Sequence, residues 1–184
     1  MRRAELREAC GVLGIERLEL GGHGDGKLAE ADDQQVIGEI VRLIRQERPD
    51  VVLTFGPEGA PTQHRDHKAI SQLTRRAVEC AATDGEFPEQ LMGTVRPHRV
   101  GRLCFVTWPT PSPDDHYQTI GQPAHIRIDA HHWNGKKLEA YLSHRSQRQH
   151  QDLFERYSIV EGEWYSVAAG VPAPDGAEDL FVGL

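Results

Sequence analysis

Apolar positions at the start of the chain recur every three or four residues. Leu6, Ala9, Cys10 and Leu13 form one stripe, which predicts a helix over residues 2 to 13. Gly14 follows where a helix C-cap belongs. Arg17-Leu18-Glu19-Leu20 alternates as a short strand would, and Gly21-Gly22-His23-Gly24-Asp25-Gly26 is too glycine-rich for anything but a loop. Asp32 or Asp33 caps a second helix, marked by Val36, Ile40, Leu43 and Ile44 and ending before Pro49. Val51 to Thr54 is a continuous apolar run, the pattern of a strand covered on both faces.

A helical pattern from Lys68 to Ala82 comes next, then an irregular stretch over 84–97 and a buried strand, Arg102 to Trp108. Pro109 to Pro123 reads as a long excursion, Ala124 to Asp129 as a strand, and Trp133 to Arg156 as one long helix. Trp164 to Ala168 is a last strand candidate. Helices alternating with short buried strands predict an α/β fold: a three-layer, Rossmann-like sandwich with a mostly parallel sheet. Such sheets bind ligands beyond the carboxyl ends of their strands. The segment Gly56 to His67 leaves one strand there and delivers two histidines and an aspartate to a helix start.

Composition narrows the partners. The net charge of −7 and pI near 5.8 argue against a nucleic-acid or anionic-membrane surface. No apolar run approaches the roughly 20 residues of a membrane helix, and the N-terminus has no signal-peptide core. Cys10, Cys80 and Cys104 are far apart and read as small buried apolar residues, an unpaired set that suits a reducing, cytoplasmic setting.

Neutral imidazole is a good ligand for zinc and similar metals, with carboxylates as common companions. His64 and His67, three residues apart at a helix start, can face one side together. They could be two ligands, or one ligand and one acid/base, with Asp66 orienting a histidine through its second nitrogen. The bland alternative is a solvated helix N-terminus. His64-Arg65-Asp66 also imitates a kinase catalytic loop, but Ser71 stands where that pattern wants Asn, and its glycine-rich loop and Asp-Phe-Gly are absent. Asp114-Asp115-His116, in proline-rich surroundings, reads as exposed loop, and His131 and His132 as solvated.

Together these residues resemble the PIG-L/LmbE-like family of metal-dependent N-acetylglucosaminyl deacetylases. The likeness runs through Arg2-Arg3-Ala4-Glu5-Leu6, Asp25-Gly26, Arg48-Pro49-Asp50-Val51-Val52, Gly59 and His64 to His67. It continues through Lys137, Ala140 and His144-Arg145-Ser146-Gln147 to the ending Asp179-Leu180-Phe181-Val182-Gly183-Leu184.

The resemblance implies one LmbE-like domain over residues 1–184. Its cofactor would be zinc, with iron as the alternative, and its substrate a small N-acetylated amino sugar or glycoconjugate. It implies His67 as metal ligand, His64 as the histidine that stabilises the oxyanion and protonates the leaving amine, Asp66 as its tuner, and Arg2 and Asp25 as sugar contacts. His144 and Gln147 are either helix anchors or neighbours of the site. A homo-oligomer stays open.

Two departures stand out. Arg65 replaces the family's proline. The family's opening strand and A-H-P-D-D motif, which carries further ligands and the general base, is missing from these residues. The expectation is therefore an N-terminally truncated or degenerate member, a metal-dependent hydrolase with little or no activity in this form. The rivals are a catalytically dead sugar-binding or interaction module and an unstable fragment.

Overall fold

The structure, a computed structural model, describes residues 2–109, 120–158 and 162–184. Asp114-Asp115-His116 and most of the proline-rich excursion lie outside the described residues. The chain divides into two compact units, residues 1–20 with 128–163 and residues 21–127 with 164–184. The chain passes between them after Leu20, outside any strand, and again within two strands.

In the larger unit, α2 (Asp33–Glu47) begins at Asp32, whose carboxylate accepts the Gln35 N–H at 2.9 Å. It ends at Arg48, left-handed at φ 52° as at many helix C-termini, with its N–H on the Ile44 carbonyl at 2.9 Å. After β1 (Val51–Phe55), α3 (Arg65–Ala81) packs against α2. Val36, Ile37, Val41 and Ile44 meet Leu73, Ala77, Cys80 and Ala81 in one core, with Val52 of β1 against it.

β2 (Arg102–Thr107) runs parallel to β1, pairing Val51 with Arg102 through Phe55 with Val106. β3 (Ile126–Asp129) and β4 (Gly162–Gly170) complete the order β1-β2-β4-β3. β4 is antiparallel to β2, with a register shift at Leu103/Cys104. The sheet is thus mixed, where the sequence predicts a mostly parallel one. β1 stands at the end of this order among the described residues, and Leu53 on it is 45% exposed despite the apolar run.

Two other expectations change. Arg17 to Leu20 forms no strand: an extended segment needs a neighbouring ladder, and this one has none among the described residues. The long helix predicted for Trp133 to Arg156 breaks into α4 (Asn134–Leu142), a 3₁₀ segment (Arg145–His150) and α5 (Gln151–Ser158). The cause lies in α1 (Arg2–Leu13), which packs on α4 in the smaller unit. Glu5, only 2% exposed, accepts both the N–H of Ser146 at 3.1 Å and its hydroxyl at 2.5 Å.

Those two bonds, led by the hydroxyl, hold the Glu5 carboxyl below its ordinary pKa. They occupy groups a continuous helix would use differently, and Tyr141 Oη closes the break on the Gln147 carbonyl at 2.6 Å. The three cysteines are free and buried as expected. Burial pushes the Cys104 thiol up to about 11, which leaves it chemically quiet.

Candidate active site

The segment linking β1 to α3 is organised by Gly59. Its N–H closes a turn onto the Gly56 carbonyl at 3.0 Å, and its own carbonyl accepts the His64 N–H at 3.0 Å. The same carbonyl lies 3.2 Å from Nδ1 of His67. Gly59 has φ +82°, and an added Cβ would sit 2.7 Å from Lys68 Cγ and 2.9 Å from the His64 carbonyl oxygen. Glycine is required here on both counts. Ala60 (φ 64°) and Gln63 (φ 52°) are also left-handed, so the turn stores strain in two residues that carry side chains.

This loop sets the two histidines in opposite tautomers. A carbonyl only accepts, so the Gly59 contact assigns the proton of His67 to Nδ1 and leaves a bare lone pair on Nε2. His64 is the N-cap of α3, and its Nδ1 accepts the Asp66 N–H at 3.2 Å. Its neutral ring therefore carries the proton on Nε2. One ring presents an acceptor and the other a donor, with centroids 5.0 Å apart.

His67 is further fixed by stacking on Phe55, centroids 3.8 Å apart with planes 10° from parallel. Burial is the largest influence on its basicity. With the neighbouring His64, burial outweighs the Gly59 carbonyl and Asp66, and the His67 pKa falls below its ordinary value. The neutral, ligating form is favoured.

Asp66 is half-buried on the first turn of α3. Burial opposes its charge, but the N–H groups of Ala29, Leu28 and Gly26, together with His64, overcome that and hold its pKa down. The Ala29 contact measures 3.2 Å. The carboxylate thus points its hydrogen bonding at the glycine loop, besides its electrostatic link to His64. Asp25 lies exposed in that loop, in the same unit as the histidines. Arg2 lies exposed on α1, in the other unit.

His144 and Gln147 sit at the break after α4, where the Gln147 N–H donates to the His144 carbonyl at 2.8 Å. His131 and His132 are exposed, as expected. Two contributors escape sequence reasoning. Phe55 reads as a core residue of its strand, and nothing in its spacing marks it as a stacking partner. The Gly59 carbonyl leaves no trace in the sequence beyond the glycine itself.

His67 meets the requirement for a metal ligand, since its outer nitrogen is held by a carbonyl and Nε2 is free. A metal needs more than this. Among the described residues no group of three or more His, Cys, Asp or Glu side chains is placed to hold one. The donor set among the described residues does not fit a complete metal site.

The family described as PIG-L: GlcNAc-PI de-N-acetylase matches residues 1–78, a stretch that contains Asp25, His64, Asp66 and His67. A 1D-myo-inositol 2-acetamido-2-deoxy-alpha-D-glucopyranoside deacetylase of Salinispora arenicola is 28% identical over 223 aligned residues, covering 100% of this chain and 71% of that protein.

Two solved structures share the fold. The conserved protein TT1542 from Thermus thermophilus superposes with a TM-score of 0.66 at 23% identity, over 94% of this chain and 74% of that one. The N,N'-diacetylchitobiose deacetylase from Pyrococcus horikoshii gives 0.69 at 19% identity, over 90% and 62%.

Proposed function

Because this chain belongs to the PIG-L/LmbE-like deacetylase family, we propose that the Gly56–His67 segment serves hydrolysis of the N-acetyl amide of an amino sugar or its conjugate. The observation that carries this reading is the opposed pair of tautomers. Amide hydrolysis builds negative charge on the carbonyl oxygen, and a fixed N–H donor aimed at it is the commonest form of stabilisation. His64 offers such a donor, Nε2–H, without changing its protonation.

To protonate the departing amine, His64 must do more. It must release the Asp66 N–H and carry a second proton on Nδ1. Asp66, whose charge is held by the loop amides and coupled to His64, favours that cation. His67 keeps a lone pair for the metal ion on which family members typically depend, and Asp25 and Arg2 are assigned to the sugar by their place in the family pattern.

Since the described residues supply one prepared ligand, turnover by this chain is expected to be slight. Losing a general base alone typically lowers rate by about 10²–10⁴. A Zn²⁺ titration followed by calorimetry tests this. Weak binding is expected, and tight one-to-one binding that His67→Ala abolishes would show that the ligand set is complete after all.

In any preparation that does release acetate, His64→Ala should cost about 10²-fold or more. Undiminished turnover removes His64 from the chemistry. The short donor set also supports a second reading, a sugar-binding module that keeps the fold without the reaction. Binding of N-acetylglucosamine with no release of acetate, at any Zn²⁺ concentration, favours it.

A further inference from the structure

We propose that the glycine loop, residues 21–31, is a ligand-recognition segment whose position is set by Asp66, Arg65 and Glu39, so that these three act as positioning residues for Asp25. The inference rests on the proposed function for the sugar contact at Asp25; the clamp itself is read from the loop's own bonds.

From Gly21 to Gly26 the segment has little intrinsic order, and a 3₁₀ turn over Leu28–Glu30 follows, with Leu28 and Ala31 packed against the α2/α3 core. Gly21, Gly22, Gly24 and Gly26 fall within six residues, and Gly22 (φ +76°) and Gly26 (φ +73°) are left-handed. Holding such a segment in one conformation costs more backbone entropy than any other composition would. Three side chains from neighbouring helices hold it nonetheless.

The carboxylate of Asp66 takes the Ala29 N–H, with the amides of Leu28 and Gly26 close behind. One position earlier on α3, Arg65 Nη1 reaches Glu30 Oε1 at 3.1 Å, while Lys27 Nζ takes the other oxygen at 3.1 Å. On the opposite side, His23 Nε2 lies 3.3 Å from Glu39 Oε2 on α2, and Gln35 Nε2 orients that carboxylate at 3.1 Å. Between these ties the Lys27 N–H closes a turn on the Gly24 carbonyl at 3.0 Å, with Asp25 inside the turn.

Asp25 therefore sits at the tip of a pliant turn fixed from both sides. Exposed ion pairs such as Arg65–Glu30 contribute little to folding. Their concentration around one glycine turn makes sense as control of where its tip lies. Arg65 stands where the resembled family has proline, so this half of the clamp is a feature of this chain.

Hydrogen exchange of the full chain, with and without saturating N-acetylglucosamine, tests the proposal, alongside sugar affinity from NMR titration. Asp66→Ala should speed exchange of the 25–29 amides about tenfold and weaken sugar binding to a similar degree. Arg65→Gln and Glu39→Gln should each give about two- to threefold. Amides of the α2/α3 core should stay at wild-type rates, and His64→Gln should leave the loop unchanged.

If Asp66→Ala proves unstable, the Arg65→Gln/Glu39→Gln double variant carries the test, with about a fivefold effect expected. Wild-type exchange of the loop in these variants overturns the proposal. So does a wild-type loop that the sugar leaves unprotected. Neither result depends on acetate release, so failure of the hydrolase reading is scored separately.

Discussion

The two ends of α3 solve the same problem in opposite ways. At the C-terminal end one side chain gathers carbonyls of the last turn and of the loop that follows it. Arg45, 1% exposed, donates to the carbonyls of Cys80, Ala81, Thr83, Glu86 and Phe87, at 2.7 to 3.4 Å. A cation there also suits the negative end of the helix dipole. At the N-terminal end the cap is a histidine whose Nε2 has no hydrogen bond among the described residues, preceded by two left-handed residues. One end saturates its polar groups and the other leaves chemistry-bearing atoms available. Strain and spare valence collect at the proposed site, and the opposite end secures the helix that carries it.

The largest effect should come from removing the seal. Arg45→Leu removes the guanidinium from five carbonyls. Those of Cys80, Ala81 and Phe87 keep the N–H groups of Thr83, His98 and Gln90, while those of Thr83 and Glu86 lose their donor, each unpaired acceptor costing roughly 1–3 kcal/mol, partly relieved by water. A loss of about 4 kcal/mol is expected in urea unfolding, and a shift below about 1 kcal/mol would show that water replaces Arg45 at little cost. At the other end, Gly59→Ala should cost about 2–3 kcal/mol, because its Cβ meets backbone and its φ is left-handed. It should also shift the His67 imidazole resonances, since the carbonyl that fixes that ring moves. Unchanged resonances would separate the turn from the ring.

The contrast also explains what could be read in advance. Asp32 caps Gln35 and His64 caps Asp66 within one helical turn, so local spacing exposes them, whereas the Asp66 carboxylate reaches back 37 positions to Ala29. The α2/α3 core follows from periodicity alone. Glu5 acts across 141 positions on Ser146, and no local pattern announces that a distant carboxylate will interrupt a periodic helix. The direction of β4 is similarly absent from its residues, because a strand's apolar pattern is the same either way round. Phe55 looks like any strand residue until His67 is stacked on it.

A smaller effect is expected from pH. The His67 pKa is lowered in the fold, so the unfolded chain binds more protons as pH falls below the ordinary histidine value near 6.5. Stability from this group is complete above that value. It should decline as pH falls toward the lowered pKa, then level off. Asp66 acts in a separate window: its lowered pKa contributes stability above about 3.8, lost as pH falls further. Urea midpoints measured between pH 7 and pH 5 should slope for the parent and less for His67→Gln. An unchanged slope in that variant would place the titration elsewhere.

The smallest effect separates strain from geometry. Gln63 holds φ 52° immediately before the N-cap, a conformation that costs a side-chain-bearing residue roughly 1–2 kcal/mol. Gln63→Gly removes that cost but gives the unfolded chain more freedom, about 0.5–1 kcal/mol in the other direction. A net gain of about 0.5 kcal/mol is expected in urea unfolding, with the His64 and His67 resonances unmoved. If stability falls instead, the left-handed turn is supported by contacts of the Gln63 side chain. The N-terminal end of α3 would then be less strained than its dihedral angles indicate.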